Sequence, residues 1–149
     1  MLSDLFNGWN DAGETATGVI SHLLNCWASK ENFIAESSSE DYYDYQQIRP
    51  TVFVDNSRIR RLTWPSTKIF AVLTPHFDFD LVLVRGPEPS FRWPTFCNEL
   101  LDLFDDLEVN LVLTLGALLA DAPHTRRIAV SGSSPNPELA KRFGFEVSR

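Results

Sequence analysis

The residues best suited to chemistry in this 149-residue sequence lie in one short loop, Asp121-Ala122-Pro123-His124-Thr125-Arg126. A carboxylate three residues before a histidine could orient the imidazole, as a general base requires. A tightly hydrogen-bonded loop fixed by Pro123 is the more ordinary explanation of the same residues. Two potential ligands are too few for a metal site, which needs three or four. The sequence therefore predicts no metal and no cofactor.

A second charged pair, Glu88 and Arg92, flanks the corner formed by Gly86 and Pro87. Two interpretations are open for this pair. The side chains either form a local ion pair that holds the loop, or they face a ligand or a partner.

A third polar segment runs from Gly8 to Gly13. Within it, Asp11 stands three residues before Glu14, which is the spacing of a capping box and predicts the start of a helix. The N-terminus of a helix can bind phosphate, but the carboxylate of Asp11 lies where the phosphate would be. We therefore expect Asp11 to cap the helix.

Several familiar catalytic and membrane signatures are missing from the sequence. It contains no phosphate-binding glycine loop and no Gly-x-Ser-x-Gly nucleophile elbow.

Cys26 and Cys97 both fall in apolar helical patterns, which predicts buried thiols. The first ten residues lack the basic region of a secretory signal, so we expect a cytoplasmic protein without a disulfide. No apolar run reaches the ~18 residues that a membrane span needs.

Helices and strands must position these loops. Apolar residues repeat at helical spacing over residues 12–28 and 93–107, and Asn136-Pro137 with Gly144 bracket a third, short helix. Strand-like stretches cover residues 50–54, 59–64, 68–73, 80–84, 110–115, 127–130 and 145–147. We expect the first three of these strands to form an antiparallel meander, with a hairpin turn at Asp55-Asn56-Ser57. The strands at 80–84 and 110–115 flank the second helix, which predicts a right-handed parallel βαβ unit.

The resulting fold class is α/β, a mixed sheet with helices packed on it, as a single domain over residues 1–149. Ligands of such sheets bind beyond the carboxyl ends of the parallel strands, so the loops at 8–13, 86–92 and 116–126 should meet at one edge. The candidate ligand-binding or partner-binding residues on this edge are Trp9, Asn10, Asp11, Glu88, Arg92, Trp93, Asp121, His124, Thr125 and Arg126.

Acidic side chains are concentrated in the first third of the chain. The formal net charge of the whole sequence is −7, and residues 1–56 contain nine acidic and two basic side chains. An acidic protein is a poor partner for nucleic acid. The acidic third is either a solvated surface or a docking face for a basic protein.

Six segments of the sequence carry a resemblance to a known family. They are Gly8-Trp9-Asn10-Asp11-Ala12-Gly13, Arg49-Pro50-Thr51, Thr63-Trp64-Pro65, Gly86-Pro87-Glu88-Pro89, Arg92-Trp93 and Leu115 to Arg126. In this order they resemble the bacterial branch of the proteasome assembly chaperone 2 family. The resemblance implies a three-layer αβα sandwich, similar to nucleoside phosphorylases and related hydrolases. It also implies self-association and a chaperone or scaffold role, and it assigns no catalytic residue.

Members of that family are usually longer, so the resemblance implies a chain that is truncated at both ends. Two functions remain open. The first is a non-enzymatic assembly-chaperone-like or scaffold protein that acts through a protein partner or as a homo-oligomer. The alternative is a small-molecule-binding protein or hydrolase that uses the loop edge around Asp11, Glu88 and His124.

Overall fold

A computed structural model describes residues 11–27 and 33–148. The chain divides into two compact units, the first ending at Leu119 and the second starting at Ala120. In the described part of the first unit there are a 3-10 turn (Ala12–Glu14), three helices and five strands. These are α1 (Thr15–Trp27), β1 (Phe33–Glu36), α2 (Ser39–Tyr42), β2 (Thr51–Val54), β3 (Arg60–Thr63), β4 (Lys68–Val72), β5 (Leu81–Arg85) and α3 (Trp93–Asp106).

The first unit is organised around an antiparallel sheet with the strand order β1-β4-β5. The register of its central pair runs from Lys68 opposite Arg85 to Val72 opposite Leu81. Because successive side chains of a strand point to opposite faces, each of these strands contributes apolar residues to both sides of the sheet.

Helices cover both faces of this sheet. On one face, Ile69 and Val84 pack with the apolar stripe of α3, which contains Phe96, Leu100 and Phe104. On the other face, the core residues are Ile20 of α1, Val72 and Leu83. The order helix, sheet, helix confirms the predicted α/β class and its three-layer αβα sandwich.

The predicted parallel βαβ unit is wrong in its second strand. Residues 110–115 form no strand in the structure, and the side chains of residues 111–114 are exposed. The parallel contact in this region is a single bridge between Asp11 and Ala117, where the N–H of Ala12 donates to the carbonyl oxygen of Ala117 at 3.0 Å. An apolar run predicts a strand, but regular strand pairing also requires a neighbour that is aligned along its whole length.

The predicted three-stranded meander is also divided differently. Strands β2 and β3 pair with each other as a separate hairpin, and β4 pairs with β1 and β5 instead. The turn at Asp55 is as predicted, since its carboxylate accepts hydrogen bonds from the backbone N–H groups of Ser57 and Ile59, both at 2.9 Å. The N–H of Ile59 and the Arg61 guanidinium, 2.8 Å away, hold the pKa of Asp55 below its ordinary value.

The second unit contains β6 (Ser133–Ser134), α4 (Pro137–Phe143) and β7 (Glu146–Val147), and its two strands pair in parallel. The predicted helix is confirmed, because the side chain of Asn136 accepts from the N–H groups of Glu138 and Leu139, and Gly144 ends the helix with φ 68°. The strand predicted at residues 127–130 is absent. The strand that precedes α4 is instead β6, at residues 133–134.

The sequence also predicted two buried thiols and no membrane-spanning helix. Both cysteines are free thiols, but Cys26 is exposed and Cys97 is half-buried, so the prediction of two buried thiols is wrong. The spacing of apolar residues correctly predicts which face of α1 packs on the sheet. It does not show how many residues of that face are buried. Among the described residues, no helix has the length and apolar character to cross a membrane.

The layer formed by α3 gives a first prediction. Phe96 is 2% exposed, and its ring contacts that of Tyr42 edge-on, with the centroids 5.1 Å apart. We expect Phe96→Ala to lower the free energy of unfolding in urea by about 3–5 kcal/mol, because it leaves a cavity. Phe91→Ala, at a phenylalanine that is 50% exposed, is the control and should cost far less. Equal losses would contradict the core described here.

Candidate functional site

Asp11 acts as the cap of the first helix. Trp9 and Asn10, predicted to accompany it, lie outside the described residues. The carboxylate of Asp11 is buried and accepts hydrogen bonds from the backbone N–H groups of Ala16 at 2.7 Å and Thr17 at 3.2 Å. Burial raises the pKa of Asp11, but the hydrogen bonds from Thr17 and Ala16 outweigh it and bring the pKa below its ordinary value. These bonds occupy the helix N-terminus and leave it unavailable to an external anion.

Arg92 is engaged with α2 rather than with Glu88. Its Nη1 lies 2.8 Å from Oδ1 of Asp41, and its guanidinium lies 5.8 Å from the centre of the Tyr42 ring. The local ion pair between Glu88 and Arg92, one of the two interpretations, is therefore not formed. Neighbouring Trp93 begins α3 and contacts Phe96 edge-on, with the ring centroids 6.5 Å apart.

Tyr42 of α2 contacts both α3 and the loop that precedes it. Its hydroxyl donates to Oε2 of Glu99 at 2.5 Å, and its carbonyl oxygen accepts from the N–H groups of Ser90 and Phe91. Burial, then the hydrogen bond and the negative charge of Glu99, raise the pKa of Tyr42 to about 12. The phenol therefore remains a hydrogen-bond donor at physiological pH, and the loop before α3 is held by α2.

The histidine loop lies in the second unit as an exposed turn. The N–H of Arg126 donates to the carbonyl oxygen of Pro123 at 2.9 Å. Asp121, His124, Thr125 and Arg126 are all exposed, and neither a hydrogen bond nor an ion pair joins Asp121 to His124 in the structure. A role for these four residues in binding remains a prediction.

The structure brings together a different group of residues, which the sequence analysis did not name as a binding site. A cleft of about 410 Å³ opens between the start of β4, the end of β5 and the base of the β2–β3 hairpin. We call it the basic cleft, because Arg49, Lys68 and Arg85 line it together with Trp64 and the backbone of Gly86. The segments at 49–51, 63–65 and 86–87, which carry the family resemblance, all contribute lining residues. That coincidence was the available signal, but only the fold shows that these three segments meet.

The charges in the basic cleft have few partners. Arg85 donates from Nη1 to Oγ of Ser21 at 3.0 Å, and Lys68 lies 3.9 Å from a carboxylate oxygen of Glu36. Arg49 forms no hydrogen bond or ion pair with the residues that the structure describes. Within that same part of the chain, no cluster of His, Cys, Asp and Glu could hold a metal ion. The arrangement is suited to binding an anion.

The cap at Asp11 gives a second prediction. Asp11→Ala should lower the free energy of unfolding at neutral pH by about 1 kcal/mol, because two N–H groups lose their acceptor. A lowered folded-state pKa contributes stability above the unfolded value and loses it as the pH falls through the folded value. The difference between the variant and the native chain should therefore vanish in strong acid, as measured by urea unfolding. Asp102→Ala, at an exposed position of α3, is the control; a penalty for Asp11→Ala that does not change with pH would contradict the cap.

Comparisons with known proteins agree on one family. The PAC2 family model matches residues 5–148. A PAC2 family protein from Streptomyces avermitilis has 47% sequence identity and a TM-score of 0.85, and the match covers 97% of this chain and 60% of that one. No curated protein matches the chain.

Two further solved structures extend the comparison. A Mycobacterium tuberculosis proteasome-assembly chaperone homologue has 44% identity and a TM-score of 0.83, with 97% of this chain and 60% of that chain covered. A Corynebacterium glutamicum protein of unknown function shares the fold, with 24% identity, a TM-score of 0.70, and 96% and 61% of the two chains covered. The chain thus spans about 60% of the length of these relatives. With a family match over nearly all its residues, the chain belongs to the PAC2 family.

Proposed function

We propose that this chain is a non-enzymatic, assembly-chaperone-like or scaffold protein that acts through protein–protein contacts. Its membership of the PAC2 family and its 44% identity to a proteasome-assembly chaperone homologue support this role. We also propose a cytoplasmic location, which suits the exposed free thiol of Cys26.

The observation that carries the proposal is the β2–β3 hairpin. Val52, Val54 and Leu62 lie on one face of it, and their exposed fractions are 62%, 60% and 49%. A two-stranded hairpin is marginally stable in water by itself. Contiguous exposed apolar side chains on a folded chain are typical of an interaction surface. This hairpin face is therefore the surface that we assign to partner binding.

The partner that we propose is a second copy of the chain. The hairpin carries Arg60 on this face and Arg58 in its turn, whereas the exposed side of α3 carries Asp102, Asp105 and Asp106. Leu101, on the same side of α3, is 47% exposed. A hairpin of one copy could therefore pack on α3 of the next, with opposite charges around an apolar centre. Such a contact joins two different surfaces, and it closes into a ring when the rotation between copies permits.

The third prediction concerns this contact. Val54→Asp places a carboxylate on the apolar hairpin face, so the variant should be monomeric where the native chain self-associates, as measured by light scattering over a range of protein concentrations. Val130→Asp, at a valine that is 91% exposed outside the hairpin, is the matched control and should leave the assembly unchanged. Circular dichroism of both variants checks that they remain folded.

A charge exchange tests the identity of the two surfaces. Arg60→Glu should weaken self-association, and adding Asp105→Arg to the same chain should restore it, because the opposite charges face each other again. A native chain that stays monomeric at every concentration would overturn the proposal of a second copy. Failure of the double variant to recover would overturn the assignment of α3.

A further inference from the structure

We propose that the basic cleft binds the phosphate group of a small phosphorylated molecule with a flat ring, of about mononucleotide size. This inference is independent of the self-association proposed above, because it rests on the side chains that line the cleft rather than on the exposed hairpin face.

The strongest observation is a pair of like charges placed side by side. Lys68 and Arg85 are directly opposite each other in the β4–β5 register, and both line the cleft. Like charges at opposed positions of an antiparallel pair destabilise the sheet. An anion between them removes that repulsion and adds charge-assisted hydrogen bonds. The structure thus contains a position where a phosphate would be stabilising.

The remaining lining residues fit the same ligand. Arg49 adds a third cation from the segment before β2, and no Asp or Glu is among the described residues that line the cleft. Glu36 of β1 is directly opposite Lys68 in the sheet; its carboxylate lies 3.9 Å from Nζ of Lys68 and also accepts a hydrogen bond from Ser66. Three cations beside a single carboxylate are unusual in a chain whose net charge is −7. A guanidinium such as that of Arg85 or Arg49 can bind phosphate through two parallel hydrogen bonds.

Trp64 and the cleft volume define the rest of the ligand. Trp64 lines the cleft, is 47% exposed, and is positioned by Tyr45, whose ring centroid lies 4.8 Å away. An indole held in this way can stack on a flat ring or base. The volume of about 410 Å³ is within the range of small-molecule sites in proteins. Together, the cations and the indole match the two ends of a mononucleotide.

Isothermal titration calorimetry on the full chain tests the proposal with AMP, inorganic phosphate and adenosine as probes. AMP should bind most tightly. The affinity for phosphate should be lower by a factor of about ten or more, because phosphate cannot contact Trp64. Adenosine, which lacks the phosphate, should bind more weakly than AMP by a similar factor. Tight binding of phosphate equal to that of AMP would overturn the flat-ring part of the proposal.

Variants separate the two parts of the site. Lys68→Gln and Arg85→Gln should each weaken the binding of both AMP and phosphate by about tenfold. Trp64→Leu should weaken the binding of AMP and leave the binding of phosphate unchanged. Lys141→Gln, at an exposed position of α4, is the control and should change the binding of neither ligand. Lys68→Gln and Arg85→Gln should also leave the thermal midpoint of the ligand-free chain unchanged or higher, because each relieves the repulsion between the two cations.

Two results would overturn the proposal. One is the absence of binding of AMP and phosphate to the native chain at millimolar concentration. The other is binding that Lys68→Gln and Arg85→Gln leave unchanged, which would locate the anion elsewhere. Thermal midpoints measured on the same samples identify a variant that loses binding because it unfolds. A lowered midpoint in Lys68→Gln or Arg85→Gln would also contradict the repulsion between these two cations.

Discussion

The first unit depends on a contact that leaves no room for a side chain at position 86. A Cβ added to Gly86 would lie 2.5 Å from the Cα of Thr67 and 2.9 Å from the carbonyl oxygen of Ser66. Thr67 is completely buried, its hydroxyl lies 2.6 Å from that of Tyr43, and its backbone N–H and C=O both bond to Ser37. The end of β5, the start of β4, β1 and α2 therefore meet at one close-packed point.

The same contact determines the geometry of the basic cleft. Lys68 follows Thr67 and Arg85 precedes Gly86, so the close approach of the two backbones aligns these cations across the strand pair. The helices on the two faces of the sheet then enclose the strands, while the hairpin remains outside them with its apolar face exposed. One sheet thus supports two surfaces of different chemistry. A charged cleft suits a small anion, and an apolar hairpin suits a protein surface.

Sequence patterns predicted the features that depend on neighbouring residues. Helical periodicity located α1 and α3, and the polar cap at Asn136 with Gly144 located α4, because each signal is contained within a few turns of chain. The strand expected at residues 110–115 failed, since apolar character shows that a segment prefers burial but not which strand accompanies it. The basic cleft was missed for the same reason. Arg49, Lys68 and Arg85 are far apart in the sequence, and only the register of β4 against β5 and the position of the hairpin bring them together.

The close approach at Gly86 is tested most directly by the free energy of unfolding of two glycine variants. Gly86→Ala forces a methyl group against the backbone of Thr67 and should cost about 1–3 kcal/mol or more. Gly18→Ala, at an exposed position of α1 with no atom within 4 Å of the added Cβ, should leave the chain as stable or up to about 1 kcal/mol more stable. Equal stability of Gly86→Ala and the native chain would contradict the contact on which the sheet and the basic cleft depend.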